Sequence, residues 1–114
     1  MTGWTPAELD AIGRAGELRV AGRRADGSLR PLVIVWQVRV GDDVFIRSVR
    51  GPSGGWYRGV LAQGRGRIES GGVAKDVAFV RDDTRGDEVD AAYRAVDSVT
   101  SPVATGTTLR VDPA

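Results

Sequence analysis

The spacing of apolar residues predicts a helix near each end of the chain and strands between the two helices. The first helix is expected at about 6–15, because Thr5, Pro6 and Glu8 supply an N-cap, a first-turn proline and the acid of a capping box. The last helix is expected at about 87–98. Its apolar face would consist of Val89, Tyr93, Val96 and Val99.

The strands are expected to centre on the longest apolar run, Leu32 to Val40. Its alternation predicts one long strand, with Trp36 in the core and on the same face as Leu32, Ile34, Val38 and Val40. Turn sequences at 41–43 and 70–72 predict tight hairpins. Other strands are expected at 17–24, 44–49, 65–70 and 73–81, with a short helical turn at 55–63. A last strand at 107–111 is expected to pair onto an edge of the sheet.

Strands grouped between helices, without parallel crossovers, favour a mainly β fold of the α+β class: a small antiparallel barrel with helices outside it. The 114 residues contain no recognisable linker or repeat, so residues 1–114 are expected to form one domain. Dimerisation would stabilise a barrel of this length and would cover an open strand edge.

Composition excludes several classes of function. The chain has no Cys and no His, which removes thiolate and Ser-His-Asp catalysis and the usual zinc sites. Basic and acidic residues nearly balance, at 16 and 15, so the charge does not favour nucleic-acid binding. No apolar run is long enough for a membrane span, and the start of the chain lacks a signal-peptide pattern. The expected location is therefore the cytoplasm.

The best candidate site follows the strand at 44–49, where Arg50, Gly51 and further glycines lead into Trp56 and Tyr57. A Gly-rich loop bracketed by arginines and aromatic residues can present backbone N–H groups and guanidinium groups to an anion. The sequence therefore indicates a class of ligand, without naming a reaction.

Each residue of this site also has a purely structural interpretation. The glycines could be turn residues, Ser48 a small core residue, and Trp56 and Tyr57 buried anchors of the loop. Arg30 and Arg50 could form ion pairs with Asp42 or Asp43. Arg47 is expected to be a surface or interface charge.

A series of short motifs resembles a known superfamily. The series comprises Gly27-x-x-Arg30-Pro31-Leu32, the turn Gly41-Asp42, a strand ending in Ser48, the Gly-rich loop and the pair Trp56-Tyr57. In this order the motifs resemble the flavin-binding split-barrel superfamily, in particular its deazaflavin-dependent nitroreductase-like branch. Within that branch the chain is most similar to a family of small bacterial proteins of unknown function. The resemblance covers about residues 15–80. It implies a six-stranded antiparallel split β-barrel with flanking helices, assembled as an intertwined homodimer.

The resemblance also implies a cofactor, FMN or a deazaflavin, in a cleft at the dimer interface. Arg30 and Pro31 would lie beside the cofactor. Its phosphate would meet Ser48, Arg50 and Gly51, and Trp56 and Tyr57 would match the aromatic pair that follows this loop. Arg24 would replace the lysine of a Thr-Thr-Gly-Arg-Lys-Ser-Gly stretch found in relatives. This chain lacks the hydroxyl groups of that stretch and has Asp26 instead.

The resulting hypothesis is an oxidoreductase that uses a flavin or deazaflavin to act on a small organic substrate. A flavin supplies the redox chemistry, so the protein needs neither His nor Cys. The alternative is a cofactor-free enzyme, or a small-molecule-binding protein, on the same scaffold. The sequence assigns no catalytic residue and no metal site.

Overall fold

The computed structural model describes residues 3–48, 51, 55–96 and 107–114 of the chain. Within these residues the chain forms three α-helices and seven β-strands. The helices are α1 (Pro6–Arg14), α2 (Gly55–Gln63) and α3 (Gly86–Val96). The strands are β1 (Leu18–Gly22), β2 (Val33–Val35), β3 (Gln37–Val40), β4 (Asp43–Ile46), β5 (Arg65–Ser70), β6 (Val73–Arg81) and β7 (Leu109–Pro113).

All seven strands pair antiparallel in one sheet, in the order β2-β1-β5-β6-β7-β4-β3. The strands β2 and β3 lie at opposite ends of this order, although only Trp36 separates them along the chain. Two Cα–Cα steps span at most about 7.6 Å. The two ends of the sheet therefore approach each other at Trp36, and the sheet curls into a nearly closed barrel.

The expected single strand over Leu32–Val40 is thus wrong, since the chain leaves one end of the sheet at Val35 and joins the other end at Gln37. This division also explains why the barrel has seven strands rather than the six that the resemblance implies. The expected core position of Trp36 is wrong as well, because 47% of its surface is exposed. The expected alternation of side chains between the two faces is correct. The face that points out of the barrel is apolar from Leu32 to Val40, but α3 covers it only over β3.

The start of α1 confirms the capping box. The Thr5 hydroxyl accepts a hydrogen bond from the backbone N–H of Glu8, whose carboxylate accepts one from the Thr5 N–H. Trp4 is buried just before the helix, and its Nε1–H donates to the carbonyl of Val111 at 2.9 Å. The Lys75 ammonium beside Glu8, together with the Thr5 hydrogen bonds, lowers the pKa of the Glu8 carboxyl.

Two apolar clusters cover the two faces of the sheet. The larger cluster fills the barrel and includes residues of α1, α2 and most strands, among them Ile12, Val20, Ile46 and Ile68. The smaller cluster lies outside the barrel, between α3 and the hairpin of β3 and β4. Its members are Val38, Val40, Phe45, Val89 and Tyr93, with Ala92 at its margin. Val89 and Tyr93 confirm the apolar face expected for the last helix, whereas the Val96 side chain and Val99 lie outside the described residues.

The strand expected near the end of the chain forms as β7, but its expected edge position is wrong. It pairs with β6 on one side and β4 on the other, so it lies inside the sheet. Leu109 and Val111 point into the barrel and are fully buried. The sequence pattern shows that this segment is apolar on one face, but it carries no information about which distant strands it joins.

Tight turns form where glycine permits a positive φ. Gly41 (φ 60°) is the first of two loop residues between β3 and β4, as a type II′ turn requires. Gly71 and Gly72 (φ 59° and 87°) both adopt positive φ between β5 and β6, as in a type I′ turn. Both expected hairpins are confirmed. No helix in the described part of the chain is long and apolar enough to cross a membrane.

Two glycines allow close contacts between backbones: Gly22 lets α2 lie directly on β1, and Gly66 lets β5 lie directly against β1. A Cβ atom added to Gly22 would lie 2.6 Å from the carbonyl oxygen of Gly59, and one added to Gly66 would lie 1.9 Å from that of Ala21. These separations are far below van der Waals contact with rigid backbone atoms. Close packing here therefore requires residues without a side chain.

We expect Gly66→Ala to lower the free energy of unfolding by about 3 kcal/mol or more, because the Cβ overlaps backbone that cannot rotate away. Chemical denaturation followed by circular dichroism measures this change. Gly16→Ala is the matched control, since an added Cβ there has no neighbour within 4 Å. Equal stability of the two variants would show that the β1–β5 contact is looser than described.

Candidate functional site

The candidate site is built on the connection between β1 and β2. An isolated bridge pairs Arg23 with Leu29, beyond the regular pair Val20 and Val33. Between these two pairs, the β1 side of the ladder runs three residues, from 20 to 23. The opposite side runs four residues, from 33 back to 29. The opposite side therefore contains a one-residue bulge, a feature that redirects side chains at the margin of a sheet. Arg30 lies in this bulge, and its N–H donates to the carbonyl of Gly22 at 2.9 Å.

The side chain of Arg30 crosses α2 at Gly59. A Cβ added to Gly59 would lie 2.9 Å from Cδ of Arg30 and 3.2 Å from its Nε. The Nε atom is enclosed and has no hydrogen-bond acceptor. Among the described residues, no carboxylate pairs with this guanidinium. A buried donor without an acceptor costs about 1–3 kcal/mol, so an atom of this kind commonly marks a place for a water or an ion.

Two further arginines are sequence neighbours of the glycines at this end of the barrel. Arg65 precedes Gly66 in β5, and its carbonyl accepts the N–H of Arg23 at 3.0 Å. Arg58 precedes Gly59 in α2. Both side chains are exposed and have no ion-pair partner within the described residues, whereas the guanidinium of Arg23 pairs with Asp76. The barrel end at Arg30 therefore carries uncompensated cations.

Arg24 lies in the loop that leads to Arg30 and is exposed. Its Nη1 donates to the carbonyl of Leu29 at 2.9 Å, which holds the side chain against its own loop. Asp26 accepts hydrogen bonds from the N–H and hydroxyl of Ser28, and these bonds, with the nearby charge of Arg24, lower the pKa of its carboxyl. The Asp26 carboxylate therefore shapes the turn and forms no ion pair with Arg30.

Ser48 and Gly51 form a turn at the end of β4. The Ser48 hydroxyl is buried and donates to the carbonyl of Gly51 at 2.8 Å, and the Gly51 N–H donates back to the Ser48 carbonyl at 2.9 Å. Gly51 adopts φ 78°, which favours glycine. The Ser48 N–H donates to Oγ1 of Thr107 at 2.8 Å. Here the Ser48 hydroxyl serves the turn, while Arg50 lies outside the described residues.

Trp56 and Tyr57 occupy the first turn of α2, the helix that Arg30 crosses. Their rings meet edge to face, with centroids 5.9 Å apart. Tyr57 is buried in the barrel core, whereas Trp56 is half-buried at the margin of that core. Pro31, next to Arg30, is exposed. The structure thus brings Arg30, Trp56 and Tyr57 to one helix. It shows no described hydrogen bond from this group to the Ser48–Gly51 turn.

The expectation of Arg47 as a surface or interface charge is wrong. Its side chain is only 5% exposed and forms an ion pair with Asp90 of α3. The Nε–H donates to Oγ1 of Thr108 at 2.9 Å, and the guanidinium lies 5.7 Å from the centre of the Tyr93 ring. Arg47 therefore joins the end of β4 to α3 and to the start of β7. Strand alternation placed it correctly on the face opposite Ser48, but gave no sign that α3 covers that face.

One groove of the molecule lies apart from Arg30. This open groove of about 390 Å³ is formed by the start of β1 and the turn between β5 and β6, at the far end of β1 from Arg30. It is lined by Glu17, Arg19, Glu69, Ser70, Gly71, Gly72, Val73 and Ala74. In the described residues no three metal-ligating side chains come together.

Solved structures of similar fold include an F420 reductase, 16% identical, which superimposes with a TM-score of 0.58 over 92% of this chain and 91% of that chain. A NimC/NimA family protein from Clostridium acetobutylicum is 12% identical, with a TM-score of 0.56 over 93% of this chain and 76% of that one. The FAD and heme binding protein from Mycobacterium smegmatis is 15% identical, with a TM-score of 0.50 over 99% and 67% of the two chains. At these identities the likeness concerns the fold. No curated protein sequence matches the chain.

The nearly closed antiparallel barrel and its flanking helices are shared with these solved structures, so the fold is a split β-barrel. A family profile matches residues 8–111, which is most of the chain. The protein belongs to that family, described as "Uncharacterized protein conserved in bacteria (DUF2255)". The fold that the sequence motifs implied is confirmed, and so is the resemblance to a bacterial family of unknown function.

We expect Asp90→Ala to be more destabilising than Arg47→Met, although both break the same ion pair. The first variant leaves the buried Arg47 cation without its carboxylate, at a cost of about 3 kcal/mol. The second leaves Asp90, which is 28% exposed, to be hydrated in part, and methionine fills the same space. Unfolding in urea gives both free energies. The reverse order would contradict the assignment of Arg47 as a buried cation that needs its partner.

Proposed function

We propose that the protein is an oxidoreductase that binds a flavin or deazaflavin and acts on a small organic substrate. The observation that supports this most directly is the Arg30 guanidinium, which is fixed at one barrel end with an enclosed Nε donor and no acceptor. A phosphate group is a matching ligand, because it supplies several acceptor oxygens and the opposite charge. The fold is shared with an F420 reductase and with a protein that binds FAD and heme.

The residues near Arg30 fit such a group in character. The unpaired guanidinium groups of Arg30, Arg58 and Arg65 would hold the phosphate end, with Arg24 and Pro31 beside them. Trp56, at the start of the same helix, would provide an aromatic surface at the margin of the core. Ser48 and Gly51 would act through the shape of their turn, since the Ser48 hydroxyl is already bonded. Arg50 follows this turn in the sequence and remains a predicted phosphate ligand.

A bound flavin or deazaflavin supplies hydride transfer. The tasks left to the chain are to bind, to orient and to exclude water, and these need no proton carrier of the histidine type. This division of roles agrees with a chain that has no His and no Cys.

We expect Arg30→Ala to raise the Kd for FMN, or for a deazaflavin, by about tenfold or more, because a charge-assisted hydrogen bond contributes about 1.5–3 kcal/mol. Fluorescence titration of the purified protein with each cofactor measures this change. Arg94→Ala is the matched control, since it removes from α3 one exposed arginine that has no ion-pair partner among the described residues.

Failure of the wild-type protein to bind either cofactor would overturn the proposed function. The cofactor-free enzyme or small-molecule-binding protein would then become the leading hypothesis. Equal losses in Arg30→Ala and Arg94→Ala would show that net charge, rather than this site, governs binding.

We also propose that the protein is a homodimer that buries the outer edge of β2. This strand has a neighbour only on its β1 side within the described sheet. The apolar face that α3 covers at Val38 and Val40 continues uncovered through Leu32, Ile34 and Trp36. Ile34 is 54% exposed. An exposed apolar row beside an open edge is typical of a surface that another chain covers, because it would otherwise promote aggregation.

We expect sedimentation equilibrium to give twice the mass of the 12.1 kDa chain, and Ile34→Asp to shift the protein toward monomer. Leu61→Asp is the matched control: Leu61 is an exposed apolar residue of α2, outside this row. A monomeric wild-type protein at micromolar concentration would contradict the dimer.

A further inference from the structure

We propose that Gly59 is a positioning residue for the anion site. Because Gly59 has no side chain, the Arg30 side chain has room to cross α2. The Arg30 guanidinium is then held in place without a partner among the described residues. This inference rests on the proposed function for the identity of the anion. The role of Gly59 toward Arg30 follows from the geometry of the chain itself.

Glycine is an unfavourable residue inside a helix, where it costs roughly 1 kcal/mol relative to alanine. Gly59 lies in the middle of α2 and does not have a positive φ, so its backbone conformation does not require glycine. The three atoms nearest to a Cβ added there all belong to the Arg30 side chain: Cδ (2.9 Å), Nε (3.2 Å) and Cζ (3.7 Å). Backbone atoms outside α2 are no nearer than this last distance, which is ordinary van der Waals contact. The neighbour that requires the absence of a side chain is therefore Arg30.

The backbone of Arg30 leaves its side chain few alternatives. The N–H of Arg30 is bonded to the carbonyl of Gly22, and Pro31 restricts residue 30 to extended conformations. Because Gly22 itself lies against Gly59, the helix and the bulge stand at a fixed separation. The stem of Arg30 fills the gap that Gly59 leaves.

The difference between Gly59 and the other close glycines is what the Cβ would strike. At Gly22 and Gly66 it would strike rigid backbone, so substitution there damages folding. At Gly59 it would strike a flexible side chain, so the protein can fold while the guanidinium moves away. Alanine at 59 should thus separate binding from stability, which a glycine with only a packing role would not do.

The experiment compares the wild-type protein with Gly59→Ala, Arg30→Lys and the double variant. We expect Gly59→Ala to keep or raise the Tm, and to raise the Kd for FMN by about tenfold, as expected for the loss of roughly one charge-assisted hydrogen bond. In the Arg30→Lys background the same substitution should change the Kd by less than about twofold, because its effect passes through the arginine. Gly13→Ala is the control: it is also a helix glycine, and its Cβ would meet Arg39 at an ordinary 3.6 Å.

A second readout does not depend on flavin. The Nε–H group of an enclosed arginine gives a distinct, slowly exchanging NMR signal, which Arg30→Lys would remove and so assign. We expect Gly59→Ala to shift this signal and to speed its exchange with solvent, and Gly13→Ala to leave it unchanged. Titration with pyrophosphate should perturb the signal in the wild-type protein and not in Gly59→Ala.

The outcomes are distinguishable. A wild-type protein that binds pyrophosphate at Arg30 but no flavin would overturn the proposed function and support this inference. An unchanged Arg30 signal in Gly59→Ala would overturn the inference, whatever the flavin result. A large fall in Tm for Gly59→Ala, of the kind expected for Gly66→Ala, would also overturn it, since Gly59 would then be required for packing alone.

Discussion

The single residue that connects β2 to β3 is the constraint on which the rest of the structure depends. With Trp36 as the whole connection, the two outermost strands of the sheet must come together, and the sheet must curl. Hydrogen bonds to the segments of α1 and α3 fix this seam. Gln37 donates to the carbonyls of Ile12 and Ala15 in and after α1, and the Tyr93 hydroxyl of α3 donates to the carbonyl of Trp36 at 2.6 Å. Burial raises the pKa of this hydroxyl, so it stays protonated as a donor.

Closure at the seam decides where a ligand can bind. The barrel interior is filled by side chains of α1, α2 and the strands, which leaves the ends and the outer faces of the barrel for chemistry. At the end near Arg30, α2 lies on bare backbone at Gly22, and a bulge brings an arginine across the helix. The same contact that packs the helix therefore presents an unpaired cation. The residues that pack α2 on the barrel are therefore also the residues that form the candidate anion site.

Local signals predicted local structure well. The capping box of α1, the glycine turns and the alternation along β4 depend on neighbours within a few residues, and each is found as expected. Sequence signals failed where a residue far away in the chain determines the strand pairing or the burial of a side chain. The break at Trp36 is invisible because an apolar period continues through it, and the burial of Arg47 depends on Asp90 and Thr108. Arg30 could be singled out by resemblance. Gly59, in contrast, offered only a weak signal: a glycine inside a helical segment.

The central position of β7 has a consequence for how the chain reaches this structure. Without it, the sheet consists of a four-stranded piece (β2-β1-β5-β6) and a separate hairpin (β4-β3), with no strand pairing between the two pieces. The strand that unites them is synthesised after all the others, and contacts such as Trp4 with Val111 close loops of 107 residues. A topology dominated by such distant pairings folds slowly. A newly made chain would therefore expose the unpaired edges of β4 and β6 during that interval, and such edges are where strand-to-strand aggregation begins.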